Sequence, residues 1–491
     1  MVPRNQGIIF VSYSMINQNL KFYITTSLVY TNALPHLGFA LEVVQADVLA
    51  RYHQFLGEDV YFLTGTDEHG AKIAKSAEKE GKNPKKFVDE ISEKVRELKE
   101  VLNLSNKDFI RTTDQERHWP IVKKVWLKLK ENGDIYKKKY EGPYCSGCEA
   151  FITKKDLING KCIIHQKEPE IIKEENYFFR LSKYSNQIGE IIEKEVIKIT
   201  PQSRKKELSN FIKQGLEDIS FSRSRKDLQW GIPVPDDDTQ TIYVWADALV
   251  NYISAIGYTE EDEKFKRYWP ADIHCIGKDI LKFHGTIWLG MLLSLGLSLP
   301  KSIFVHGFIT VDGQKMSKSL GNVADPFEIV KKYGTDAVRY FLLAEFSAVE
   351  DGDFSLEKIK VRYNADLANG LGNFAARVLA LQPQFSEIKP LKIDKDIEKK
   401  IEEIKKIAAQ KIEEFKFNES LSAIWSLIAF GDKYINQTQV WKIADLELKN
   451  QIILNLTAIL NSVTVLLGPF MPETSVKITQ LKKGEILFPR L

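Results

Sequence analysis

The alternation of apolar and polar positions divides the chain into three textures. Residues 22–25 (Phe-Tyr-Ile-Thr) form the short apolar run that a buried strand requires. A segment of turn and small residues follows, with Asn32, Pro35 and Gly38. Leu41, Val44, Val48, Tyr52 and Phe55 then recur at helical spacing, Gly57 supplies a stop, and a second strand is expected at Val60–Leu63. Strand, loop, helix, strand is a βαβ unit and predicts a parallel sheet. Ligands of such sheets collect at the carboxyl ends of the strands, where the loop at 31–40 falls. From about Ile135 to Trp230 the texture changes to Lys/Glu-rich segments broken by a cysteine cluster, which reads as an insertion. Apolar strands return at Thr241–Trp245, Ile273–Ile276 and Ile303–His306 and are expected to complete the same sheet. Beyond about Arg362 strand signals end. Ile397, Ile401, Ile404, Ala408 and Phe415 keep helical spacing with Lys and Glu opposite, which predicts an all-α domain.

Composition narrows this only a little. At 491 residues the chain calls for two or three domains. With 44% hydrophobic and 27% charged residues it has the balance of a globular protein in water. Sixty-nine basic residues against sixty-six acidic ones leave +3, so any contact with RNA must come from local patches. No apolar run approaches the ~20 residues of a membrane span, and no membrane partner is expected. Ile8-Ile9-Phe10-Val11 is too short for a secretory segment, and residues 1–20 lack the Arg-rich pattern of a transit peptide. They read as a disordered extension, with Met15 as an alternative start. Four cysteines in so long a chain argue against a disulfide scaffold, and a cytoplasmic location is the default expectation.

Three clusters carry candidate chemistry. Pro35-His36-Leu37-Gly38-Phe39 stands at a strand-to-helix turn, where Gly38 admits a ligand close to the backbone and the helix N-terminus favours anions. His36 adds a donor for phosphate oxygens, although a lone His before a helix more often only satisfies a turn. Asp312-Gly313-Gln314-Lys315-Met316-Ser317-Lys318-Ser319 offers two lysines three apart, suited to charge building on a phosphate as pyrophosphate leaves. The bland reading is a solvated basic loop. Cys145-x2-Cys148-x13-Cys162-x2-His165 has the spacing of a closed tetrahedral Zn2+ site of knuckle type, with no open position for catalysis. Unconnected buried cysteines are the competing reading.

Together the first two motifs resemble the paired signatures of class I aminoacyl-tRNA synthetases. Thr64-Gly65-Thr66-Asp67-Glu68-His69-Gly70, Tyr243-Val244-Trp245-Ala246-Asp247-Ala248 and Ile276-Gly277-Lys278-Asp279-Ile280-Leu281-Lys282-Phe283-His284 further resemble blocks of the methionyl-tRNA synthetase family. The resemblance runs from about Lys21 to Pro472 and implies a division into domains. After the extension at 1–20 come the first half of a Rossmann-type catalytic domain at 21–134 and a zinc-bearing connective insertion at 135–230. The second half at 231–320, ending in the lysine loop, a linker at 321–365 and an α-helical anticodon-binding bundle at 366–491 complete it.

The resemblance also implies the roles. His36, Lys315 and Lys318 would serve catalysis, and His36, Gly38, Gly277, Asp279 and Lys318 would bind ATP with its Mg2+. Asp67, helped by the Leu28 carbonyl, would receive the ammonium group of L-methionine. Ser27, Leu28, Tyr30, Trp245, Leu249, Tyr252, Ile280 and His284 would line the side-chain slot, with Trp288 behind, since a thioether favours aromatic edges. Asn373, Arg377 and Trp441 would read the anticodon of tRNA(Met), initiator and elongator alike. Without the resemblance, each aromatic reads equally as core and the Asn373–Arg377 pair as bundle polar contacts. Phe39 departs from the pattern, standing where the family usually has a second histidine. The chain ends soon after the bundle, without a C-terminal appendage, which makes a monomer the expectation.

Two other readings compete. Synthetases of the same class for leucine, isoleucine or valine normally carry a large editing insertion, for which 135–230 is too short, and one for cysteine would place metal ligands in its pocket. A tRNA-binding module with a dead catalytic domain is favoured only by Phe39.

Overall fold

The computed structural model describes residues 20–146, 150–152, 157–163, 166–259, 262–311, 313–316, 323–381 and 392–491. All of the expected extension at 1–20 except Leu20, together with Cys148, His165 and Lys318, therefore lies outside the described residues, as does the side chain of Lys315. The chain forms two compact units. The first runs to Pro35 and takes in Leu56–Lys99 and Ser105–His306, and the second comprises His36–Phe55, Glu100–Leu104 and Gly307–Leu491.

A seven-stranded sheet organises the first unit. Its strands are β1 (Lys21–Thr26), β2 (Val29–Tyr30), β3 (Asp59–Asp67) and β4 (Asp108–Arg111), then, past the β5 (Ile135–Cys145) and β6 (Glu170–Phe179) ribbon, β7 (Lys198–Thr200). After β8 (Asp237–Ile242), which belongs elsewhere, β9 (Ile273–Gly277) and β10 (Ser302–His306) complete it. The order is β7-β10-β9-β1-β3-β4, with β2 continuing the line of β1 along β3, and every pairing is parallel. All five residues of β10 and all five of β9 are buried, as a sheet covered on both faces requires. The strand order reverses between β1 and β9, so their carboxyl ends at Thr26 and Gly277 flank the switch point where open parallel sheets bind ligands. The Ser27 amide donates to the Cys275 carbonyl at 3.0 Å and closes that edge.

Two expectations are corrected. Thr241–Trp245 is not a strand of this sheet. β8 pairs antiparallel with Ser222–Ser224 and Pro233–Val234, and from Val244 the chain is helical to Ala248. The apolar run Ile242–Val244 is buried by a helix turn as readily as by a strand, and periodicity cannot tell them apart over so few residues. The missing edge strand comes instead from inside the 135–230 segment, where Lys198–Thr200 pairs with Ser302–Phe304. The rest of that segment is built on the β5–β6 ribbon, in register from Ile135↔Phe179 to Tyr144↔Glu170.

The second unit is mainly helical. Helix Leu37–Phe55, the crossover between β1 and β3 in sequence, belongs to it, with a small sheet of Ile309–Val311, Gln314–Lys315 and Gly352–Phe354. Arg339 is fully buried there: it pairs with Asp47 at 2.7 Å and donates to the carbonyls of Leu102, Pro469 and Phe470. The C-terminal bundle packs Lys395–Glu413, Phe417–Thr438 and Leu446–Leu467 on their apolar faces. Phe415 falls just past the first of these helices at φ 58°, yet it is buried as its spacing suggested. Leu446–Leu467 is long and apolar enough to cross a membrane by length and composition. Its Ile452, Leu456, Ile459, Val463 and Leu467 are instead buried, and Asn455 among them bonds Asp394 and Tyr434. No strand follows Phe354 among the described residues.

Candidate active site

Two short stretches of the chain wind into wide, π-type turns: Phe283–Trp288 and Tyr363–Gly372. Such turns are uncommon and concentrate at functional sites. The first carries His284 and Trp288, and the second leads directly into Asn373.

Around the first, the structure gathers the later pocket candidates. The Tyr252 hydroxyl lies 2.7 Å from His284 Nε2, and His284 Nδ1 lies 3.0 Å from the Ile280 carbonyl. A carbonyl only accepts, so Nδ1 carries the proton and Nε2 accepts from Tyr252. Trp245 meets the His284 ring edge-on at 6.3 Å and stacks on Phe283 at 3.9 Å, while Trp288 lies 5.7 Å from Tyr252. Leu249, Tyr252, His284 and Trp288 are buried, whereas Leu28, Trp245 and Ile280 are half-buried and pack on the same core. A closed floor thus lies under a partly open rim.

His274 on β9 extends the floor and was not singled out from the sequence. The Trp288 indole donates to its Nε2 at 3.2 Å, and its Nδ1 donates to Thr25 Oγ1 at 2.8 Å. Burial pushes the pKa of His284 down to about 4. Burial, and then the nearby His284, holds that of His274 well below the ordinary histidine value. Two neutral imidazoles therefore sit in an apolar, aromatic cluster in which both nitrogens of each ring are hydrogen-bonded. Phe283, which stacks on Trp245, also went unremarked. Each lies in a stretch already quoted, but nothing local tells which side chain turns toward the cavity.

The first-half candidates converge on the end of β3. Tyr30 pairs with Asp67 in the strand register, and the Thr31 amide and hydroxyl both donate to the Asp67 carbonyl at 3.0 Å. Next to it, Glu68 receives Arg111 through both carboxylate oxygens at 2.6 and 2.8 Å. Asp247 lies buried against His69 and His118. Burial alone would raise its pKa, and the two imidazoles more than reverse this, holding the carboxyl below its usual range. Gly277 closes β9, and Asp279 is exposed in the following turn.

In the second unit, the two signature motifs are brought together. The Leu37 amide donates to the Ala324 carbonyl at 3.1 Å, and the Gly38 amide to His36 Nδ1 at 3.0 Å. A Cβ on Gly38 would sit 2.9 Å from the His36 ring and 3.6 Å from the Met316 methyl, so only glycine fits without displacing the ring. Phe39 is 7% exposed and serves as core.

The remaining candidates divide by element. Arg377 spans from its helix to Asp432 and Asn436 at 2.6 Å each, while Asn373 is exposed. Trp441, five residues beyond Asn436, is 55% exposed, an unusual cost for so large an aromatic. Cys145 and Cys162 are both buried in one small cluster with Ile152 and Leu157. With Cys148 and His165 undescribed, no group of three or more metal-binding side chains gathers among the described residues.

Comparison with known proteins gives a consistent picture. A family model described as tRNA synthetases class I (M) matches residues 22–156 and 152–379, and one described as the anticodon-binding domain of tRNA ligase matches 394–489. The methionine–tRNA ligase of Caldanaerobacter subterraneus subsp. tengcongensis is 44% identical, over 96% of this chain and 79% of that protein. That of Thermotoga maritima is 42% identical, over 94% of this chain and 75% of its own length. Among solved structures, Mycobacterium tuberculosis methionyl-tRNA synthetase in complex with methionyl-adenylate aligns with a TM-score of 0.89 at 35% identity, covering 94% of each chain. Its apo form aligns at 0.83 and 31% identity, covering 97% of this chain and 99% of the other.

Proposed function

From the premise that the chain belongs to the methionyl-tRNA synthetase family, we propose how its residues divide the work of charging tRNA with methionine. The reaction has two steps. The methionine carboxylate attacks the α-phosphate of ATP, giving methionyl-adenylate and pyrophosphate. The terminal ribose hydroxyl of tRNA then attacks the adenylate carbonyl, breaking the mixed anhydride and releasing AMP. Neither step needs a protein nucleophile, so positioning and charge stabilisation carry the rate.

Asp67, with the Leu28 carbonyl, takes the ammonium group of methionine. The thioether enters between Trp245, Tyr252, Ile280 and His284, with Ser27, Tyr30 and Leu249 at the sides and Trp288 closing the back. One observation carries this reading: the Tyr252 hydroxyl on His284 Nε2 satisfies the floor internally, leaving an aromatic surface suited to sulfur. A substrate side chain seeking a donor would find none open on that pair, since the Tyr252 hydroxyl and the His284 Nδ1 proton are both engaged. His36, Gly38, Gly277 and Asp279 bind ATP, whose Mg2+ is held mostly by the phosphates. Lys318, and secondarily Lys315, neutralise the leaving pyrophosphate, with His36 as a further donor to the phosphates. Asn373, Arg377 and Trp441 read the anticodon, with Trp441 as the stacking platform.

Cys145, Cys148, Cys162 and His165 would hold one structural Zn2+. The two described thiols fit, both being buried in one cluster with Ile152 that is too small to be a core on its own. The ion would supply cross-linking of the insertion rather than chemistry. Metal analysis of protein purified without chelators that finds no zinc would end this part of the proposal.

Amino-acid-dependent ATP–pyrophosphate exchange tests the whole. Methionine should support exchange and leucine should not. Exchange with leucine in preference, or with no amino acid at all, overturns the reading.

A further inference from the structure

A buried polar chain lies beside the methionine pocket, and the two-step reaction does not use it. Asp67 and His69 stand two residues apart at the end of β3, and Trp245 and Asp247 two residues apart on the helix Val244–Ala248. His69 Nδ1 lies 2.7 Å from Asp247 Oδ2, and His118 Nε2 lies 2.7 Å from Asp247 Oδ1. His118 in turn meets Ser254 Oγ at 2.7 Å through its other nitrogen. His69, His118, Asp247 and Ser254 are all buried.

The two ends of this chain differ in how they are held. The segment around Asp67 is braced on both sides. Arg111 grips the Glu68 carboxylate, the Trp230 indole donates to the Glu68 carbonyl, and the Gly70 amide donates to the Trp230 carbonyl. The helix bearing Trp245 is five residues long and its N-cap, Tyr243, makes no side-chain capping bond. Helical backbone continues through Leu249 and Val250 into Asn251–Ser254, but a stretch this short gains little from its own hydrogen bonds and relies on tertiary contacts. Asp247 is its polar link to the braced segment, and charge-assisted bonds to two imidazoles make that link strong and directional.

We propose that Asp247, gripped by His69 and His118, is a positioning residue that sets the separation between Asp67 and Trp245. It thereby fixes the length of amino acid that engages both ends of the pocket at once. This rests on the assignment of Asp67 to the ammonium group and Trp245 to the side chain. A carboxylate that only stabilises the fold would affect every ligand of the pocket equally. A spacer affects only ligands that reach both ends.

Calorimetric titration of the full chain separates the two. The ligands are methionine and its desamino analogue, which keeps the thioether and lacks the ammonium group. Native protein should prefer methionine, and Asp67→Asn should remove that preference. Asp247→Asn should weaken methionine by about tenfold or more and leave the desamino analogue within about twofold. His118→Asn, which releases one of the two grips, should give a smaller split in the same direction, and it stands in if Asp247→Asn does not fold. Equal losses for both ligands, or no loss for either, overturn the spacer. If Asp67→Asn keeps the preference for methionine, the pocket assignment itself fails, and the spacer with it.

Discussion

Lowering the pH from about 7 to about 5 should loosen the floor of the pocket, and His284 sets most of the effect. Its ring is 1% exposed, and burial holds its pKa at about 4 against an ordinary value of 6.5. The folded protein therefore keeps the neutral ring, while the unfolded chain protonates it near the ordinary value. The stability it contributes is fully present above about 6.5 and is lost as pH falls through the window toward about 4. The whole window is worth about 3 kcal/mol, of which about 2 kcal/mol falls between about pH 7 and 5. His274 acts in the same direction, since burial and the adjacent His284 push its pKa down as well. Protonated Nε2 can no longer accept from the Tyr252 hydroxyl, so methionine affinity should hold to about pH 5 and weaken only as pH falls toward about 4. Hydrogen exchange of the Phe283–Ser294 segment, corrected for intrinsic rates, reads the local opening free energy across that range. The native chain should lose about 2 kcal/mol of protection there, and His284→Gln should lose clearly less. Equal slopes in the two proteins, or protection that rises as pH falls, would refute the reasoning.

Other consequences follow from single positions. Gly38→Ala places a methyl 2.9 Å from the His36 ring. It should slow ATP–pyrophosphate exchange by about tenfold to a hundredfold without changing methionine affinity, and unchanged exchange would show that the His36 ring position is not needed. Trp441→Ala removes a side chain that is already 55% exposed, so the fold should stand. Transfer to tRNA should lose about 1–3 kcal/mol in kcat/KM with exchange intact, and a parallel loss of exchange would contradict an anticodon role. Arg339→Met leaves the buried Asp47 carboxylate with Arg51 as its remaining cation. Chemical denaturation of the second unit should show a loss of about 3–5 kcal/mol, whereas a neutral result would mean that the site re-solvates.

The features legible from the chain alone are those fixed by neighbours in sequence. A β1–loop–helix–β3 unit follows from apolar periodicity, because strand and helix burial repeat over two and about 3.6 residues whatever the rest of the fold does. The signature strings and pocket blocks are likewise local, and the second signature's Met316 does lie beside Gly38 of the first. Periodicity failed where the run was too short to register: Thr241–Trp245 bends into a helix, and the edge strand Lys198–Thr200 was hidden inside a charged segment.

Tertiary structure alone decided which groups lose their water together. His69 and Asp247 are 178 residues apart, His118 and Asp247 are 129, and Tyr23 donates to the Tyr252 carbonyl across 229. Sequence could propose Asp67 and Trp245 as the ends of a pocket, since their blocks resemble recognisable strings. What holds those ends at one separation is a buried carboxylate between two imidazoles. Its strength comes from exclusion of water by three chain segments that only folding brings together.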